Sequence, residues 1–222
     1  MPGRREWVRF PSQKIYKDLL LRKFHWHDGG RANHVAALMC WVVIAHNADE
    51  DSGLARVTYD RFTEATGLGR TRTSAGLKVL RNFGIIANGD KRGHYQLVGY
   101  DKLQNWAMLP WRTLYRSDAI AFFHALSGRK VAHLDALKLY LLVAARRDTN
   151  TNTANITYDQ IGELAGIPRA RITDALTLLG SNHVMVVESR PSTQSDFGVH
   201  NAYRLRGVDS YRHRGTTMRE SL

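Results

Sequence analysis

The chain has 222 residues, a length that suits two domains better than one. Lys and Arg number 32 against 20 Asp and Glu, and the formal net charge of +12 suits a polyanionic partner, because neutralising phosphates releases condensed counterions. The single cysteine, Cys40, excludes an internal disulfide, and it lies in an apolar run where a small thiol packs well. No apolar stretch approaches the roughly 20 residues of a membrane span, and residues 1–6 lead into no signal-peptide core, so a cytoplasmic protein is expected.

An internal repeat organises the rest. Val57-Thr58-Tyr59-Asp60 returns as Ile156-Thr157-Tyr158-Asp159, an offset of 156 − 57 = 99. At that offset, without gaps, residues 7–86 and 106–185 share 21 identities in 80 positions. Typical residue usage gives about 5 by chance. Tyr95-Gln96-Leu97 then matches Tyr203-Arg204-Leu205 at an offset of 108, so the second copy carries 108 − 99 = 9 extra residues before that point. Two domains are expected, over residues 1–100 and 101–222.

In chain order, each copy opens with an extended stretch, residues 7–10 or 106–109, stopped by Pro11 or Pro110. Apolar spacing predicts a helix over 13–26 and over 112–126, then a strongly apolar central helix over 35–46 and over 134–147. Polar loops follow at 49–53 and 148–153. Thr58 and Thr157 are N-caps, with Asp60 and Asp159 in the first turn of short helices that end at Gly67 and Gly166. A second helix begins near Arg70 or Arg169. It buries Thr73, Gly76, Leu77 and Leu80 in one copy, and Ile172, Ala175, Leu176 and Leu179 in the other. A β-hairpin closes each copy. The first pairs Ile85-Ile86 with residues 94–98; the second pairs 184–187 with 201–206 across a long tip at 188–200.

The stretch from Gly67 through Arg70-Thr71-Arg72-Thr73 to Leu77, with Gly166 through Arg169-Ala170-Arg171-Ile172 to Leu176, resembles the recognition-helix region of bacterial winged-helix regulators. Two such units in one chain resemble plasmid replication initiators and the winged-helix repressors of conjugative-transfer operons. Gly69 and Pro168 depart from the Ser common before that helix. The resemblance implies a mainly α fold with small β-hairpin wings, namely two tandem winged helix-turn-helix domains. It also implies double-stranded DNA as the partner.

Recognition helices put their N-terminal residues at base edges, and arginine pairs with both O6 and N7 of guanine. The expected DNA-contacting residues are Arg70, Thr71, Arg72, Ser74 and Lys78 in the first copy, and Arg169, Arg171, Thr173 and Thr177 in the second, where Asp174 shares the exposed side. The hairpins add Lys91 and Arg92, and Arg190, His200 and Arg204. Any single arginine serves a phosphate as readily as a base. Phe197 in the second tip suits a protein contact, and Arg4, Arg5, Arg9, Arg212, Arg214 and Arg219 make both ends basic.

Chemistry-bearing motifs are missing. His25, His27 and His34 form the densest histidine group, and no Cys or carboxylate set completes a tetrahedral metal site. A Gly-rich phosphate loop with Lys-Ser or Lys-Thr is absent, and no carboxylate cluster marks a nuclease. No enzyme, cofactor or metal is expected. The leading expectation is a sequence-specific DNA-binding protein, a transcriptional regulator or origin-binding protein of a plasmid or other mobile element, acting as a monomeric pseudo-dimer. Two alternatives stand beside it. One is a replication initiator that recruits replication proteins; the other is a protein-interaction module in which one domain alone reads DNA.

Overall fold

The computed structural model describes residues 6–27, 30–104, 106–191 and 199–208. Strand β1 (Trp7–Pro11) gives way to a short helix, α1 (Gln13–Lys17). Leu19 then takes a left-handed φ of 47°, and a single 3-10 turn, Leu20–Lys23, follows. The helix expected over 13–26 is therefore broken, since a left-handed residue cannot continue a right-handed helix. Helix α2 (Arg31–His46) is buried almost all round from His34 onward, as an evenly apolar helix must be.

Strand β2 (Leu54–Arg56) comes next. It is followed by α3 (Tyr59–Thr66), whose cap Thr58 accepts from the Arg61 N–H at 3.1 Å. Gly67 ends α3 at φ 71°, a conformation that costs glycine nothing. Helix α4 (Arg70–Asn82) lays Thr73, Gly76, Leu77 and Leu80 against α2. At Gly76 a Cβ would come within 2.8 Å of the Ala36 backbone, so this glycine sets how close the helices lie. Strands β3 (Ile86–Asn88) and β4 (His94–Leu97) form the expected hairpin, and β2 joins it to give the order β2-β4-β3.

The second half begins with β5 (Trp106–Pro110). The helix expected over 112–126 is mostly absent. Its place is taken by a hairpin of β6 (Tyr115–Arg116) and β7 (Ala119–Ile120), turned by Ser117 at φ 56°, and a four-residue helix, α5 (Ala121–His124). Helix α6 (Val131–Arg146), strand β8 (Ala154–Asn155), α7 (Tyr158–Ala165) and α8 (Arg169–Ser181) then repeat the first half's order. Strands β9 (Met185–Pro191) and β10 (Val199–Leu205) complete a sheet of order β8-β10-β9. The nine extra residues lengthen this ladder. Glu188 and Arg190, expected in the tip, pair with Ala202 and His200. Phe197 lies outside the described residues, as do the basic residues of both ends except Arg9. The whole is a mixed helical and antiparallel-sheet structure, richer in strands than the mainly α expectation. Among the described residues no helix is long and apolar enough to cross a membrane.

The bounds of β1 and β5, α3 and α7, and α4 and α8 keep the 99-residue offset at both ends. The halves are joined through a ladder that obeys a local two-fold axis. In the antiparallel β1–β5 pair, Trp7 faces Pro110, Pro11 faces Trp106, and Arg9 faces its own counterpart, Met108, at the centre. A pairing in which residue i meets the counterpart of j, and j the counterpart of i, is isologous. Away from the ladder the acceptors are counterparts while the donors, Arg22 and His124, are not. Arg22 donates to the Glu163 carbonyl at 3.4 Å, and His124 donates through Nε2 to the carbonyl of Glu64, the counterpart of Glu163, at 3.1 Å. Trp7 and Trp106 stack at 5.7 Å between ring centroids. One hydrophobic cluster runs through both halves, with α2 against α6.

Candidate nucleic-acid interface

Successive helix residues are rotated by about 100°. With Thr73, Gly76, Leu77 and Leu80 buried, the outward line of α4 runs through Thr71, Ser74 and Lys78, all exposed. Arg70 and Arg72 are also exposed, but they stand about 200° apart and flank this line on opposite sides. Arg70 reaches Asp60 in the first turn of α3 at 3.2 Å. Asp60 therefore does more than favour the helix N-terminus; it fixes where the Arg70 guanidinium sits. Arg72 has no acidic partner among the described residues, and its guanidinium lies beside Gly128 of the second half. There a cleft of about 650 Å³ runs between the start of α4 and Phe123, His124 and Ser127.

Lys91 and Arg92 are exposed in the turn between β3 and β4. A groove of about 260 Å³ between hairpin and helices brings Arg92 together with Arg70 and Asp60. Arg56, which the sequence reading passed over, is exposed on β2 opposite His94 in the ladder. Its signal was the alternation Leu54-Ala55-Arg56, between the polar loop at 49–53 and the Thr58 cap, to which the sequence reading assigned no element. Arg56, Arg72, Lys78, Lys91 and Arg92 have no acid within salt-bridge distance among the described residues.

The second half repeats the helix pair and the hairpin behind it, with different charge pairing. Arg169 meets Asp159 at 3.2 Å, repeating Arg70–Asp60, and its guanidinium lies over the Tyr158 ring at 5.4 Å. Thr173, Asp174 and Thr177 are exposed along α8. Arg171, expected on that exposed side, is half-buried instead, its side chain 36% exposed. Its Nε lies 3.0 Å from Oδ2 of Asp135 on α6, a carboxylate whose side chain is 1% exposed. Burial pushes the Asp135 carboxyl up, opposed by the nearby Arg171 and Lys138 charges. The ammonium of Lys138 is also buried and donates to the Phe24 carbonyl of the first half at 2.9 Å; desolvation brings it down to about 8. The signal for this pair was present as two charges three residues apart inside an otherwise apolar helix. In the second hairpin, Arg190 and Arg204 both grip Glu188, at 2.9 and 2.7 Å. His200 is half-buried, opposite Arg190. All four expected arginines of the second half are thus paired with acids.

The histidines serve the scaffold. His34 and its counterpart His133 each present Nδ1 to a backbone N–H, that of His25 at 3.0 Å and of Gly128 at 3.1 Å. Buried His46 accepts from the Tyr115 hydroxyl at Nδ1 (3.1 Å) and donates from Nε2 to the Pro110 carbonyl (2.9 Å), which fixes its tautomer. Among the described residues no three His, Cys, Asp or Glu side chains gather as a metal site requires. Cys40 is fully buried, and burial raises its thiol far above the ordinary range. No family model, no curated protein and no solved structure matches the chain.

Proposed function

We propose that the chain is a sequence-specific double-stranded-DNA-binding protein, built as an intrachain pseudo-dimer of two winged helix-turn-helix units with unequal roles. The observation that carries this is a set of five exposed cations of the first half, Arg56, Arg72, Lys78, Lys91 and Arg92, spread over one helix-turn-helix and its sheet, with no acid within salt-bridge distance among the described residues. The groove holding Arg70 and Arg92 suits a phosphate backbone passing between recognition helix and wing. A regulator of transcription or an origin-binding protein uses this apparatus in the same way.

The local two-fold axis makes α4 and α8 counterparts by rotation. If both helices enter adjacent major grooves of one duplex, about 34 Å apart, their half-sites run in opposite directions. The acid-paired arginines of the second half favour a second reading, in which that half docks a protein and the first half alone reads DNA.

Selection of bound duplexes from a random library, followed by a salt titration on the best site, tests the proposal. The expected site has one strong half and a weaker half in inverted orientation. With five phosphate-neutralising cations the slope of log K against log[salt] is about −4. A site confined to one half would favour the second reading. A flat salt response, or no enrichment, would remove the DNA reading altogether.

A further inference from the structure

The second half buries two charges on its central helix that the first half does without: the Asp135 carboxylate, which pairs with Arg171, and the Lys138 ammonium, which donates to the Phe24 carbonyl of the other half. Asp135 and Lys138 stand where the first half has Ala36 and Met39, at the same offset on the equivalent central helix. That helix packs on α4 through Gly76 with no charge between them. A buried ion pair is seldom the most stable filling for a core, and an apolar replacement of similar volume often serves as well or better. What differs on the outside is the arginine: Arg72 is exposed with no acid within salt-bridge distance among the described residues, whereas Arg171, its side chain 36% exposed, lies against Asp135.

We propose that Asp135 is a specificity-determining residue that withholds Arg171 from DNA, so that the two halves of one chain read different half-sites. The inference rests on the DNA-binding reading above and deepens it. With Arg171 withheld, the N-terminal outward line of α8 presents Thr173, Asp174 and Thr177. Of these, Asp174 suits acceptance from a cytosine amino group, where an arginine suits guanine. Lys138 anchors the arrangement to the other half through the Phe24 carbonyl, so Asp135 sits in a fixed frame at the junction of the two units.

The double variant Asp135→Ala with Lys138→Met installs the first half's own residues and is expected to fold. In the wild type, Arg72→Ala weakens binding to the selected site by about tenfold, as loss of one good arginine contact does, and Arg171→Ala by less than about twofold. In the double variant, Arg171→Ala becomes as costly as Arg72→Ala, and the selected second half-site shifts towards the first. Thermal unfolding of each variant keeps folding defects apart from contact losses. A selected site unchanged by the double variant, or a wild type as sensitive to Arg171→Ala as to Arg72→Ala, overturns the inference while leaving the DNA reading intact. A wild type that enriches no duplex overturns both. Without DNA, solvent exchange of the Arg171 Nε–H measured by NMR is slow in the wild type and fast in the double variant; fast exchange in both would show that no tether exists.

Discussion

His46 shows how one side chain ties the two halves together and what that costs in acid. Its counterpart at the 99-residue offset is Ala145, so the bonds to Tyr115 and Pro110 exist on one side of the axis alone. Full burial holds the imidazole down at about 3, against 6.5 when free. Below pH 6.5 the unfolded chain therefore binds a proton that the folded chain refuses, and stability falls with pH down to about 3. Each pH unit in that window costs about 1.4 kcal/mol through this group. His46→Gln keeps the donor to Pro110 and removes the titration. It is expected to cost about 1 kcal/mol at pH 7 through the lost Tyr115 bond. Its stability then changes less than the wild type's between pH 6.5 and 5, before carboxylates take over. His34 and His133, also held down by burial, act alike in both proteins and cancel in the difference. Urea midpoints across that range that run parallel for the two proteins would contradict it. Residue identity was legible in the sequence here, but direction was not. Arg70 and Arg72 were readable as basic positions on the exposed side of one helix. That Arg171 is half-buried depends on Asp135, which is distant in the chain.

At the scale of elements, the parts fixed by local chemistry were the ones read correctly. Helices α3, α4, α7 and α8 are each signalled by a Thr cap, a glycine stop or a buried periodic face; α3 and α7 begin and end as expected, and α4 and α8 begin as expected at Arg70 and Arg169. The helix over 13–26 had apolar spacing alone, and Leu19 breaks it with a left-handed turn that no glycine advertises. Strands β2 and β8 are too short for a pattern of their own; they exist because each hairpin offers an edge. The repeat itself exposes a local strain. Gly84 at φ 63° ends the turn after α4, and its counterpart after α8 is His183 at φ 56°, an exposed residue. A side chain in that region clashes with its own backbone, at roughly 1 kcal/mol or more. His183→Gly is expected to stabilise the chain by about 0.5–1 kcal/mol, partly offset by the freer unfolded state. A thermal midpoint raised by about 2 °C would register this, and Gly84→His should lower it. If His183→Gly lowered the midpoint, the turn would owe its geometry to a contact of the imidazole instead.

On the scale of the molecule, the offset announced a duplication but not the axis that relates the copies, because that axis lies in strand pairing between residues a hundred positions apart. The ladder and a shared apolar cluster join the two halves. Val8 and Phe10 are buried on one strand, Leu109 on the other, and the apolar cluster continues from α2 into α6. The axis also discriminates between a true dimer and this pseudo-dimer. Two copies of residues 1–100 joined by the same ladder would set Arg9 against Arg9, and like charges directly opposite destabilise a pair. In the intact chain Met108 takes that place, and the Arg9 guanidinium lies over the Trp106 ring at 5.3 Å. Residues 1–100 and 101–222 expressed apart are therefore expected to lack cooperative unfolding, and the first fragment is not expected to homodimerise. Mixed, they should form a one-to-one complex that recovers the near-ultraviolet circular dichroism of the stacked Trp7–Trp106 pair. Arg9→Met is the complementary change: it removes the repulsion and should let residues 1–100 dimerise in sedimentation experiments. A fragment 1–100 that unfolds cooperatively as a monomer, as stable as the whole chain, would mean that the halves are separate domains and that the two-fold junction is incidental to folding.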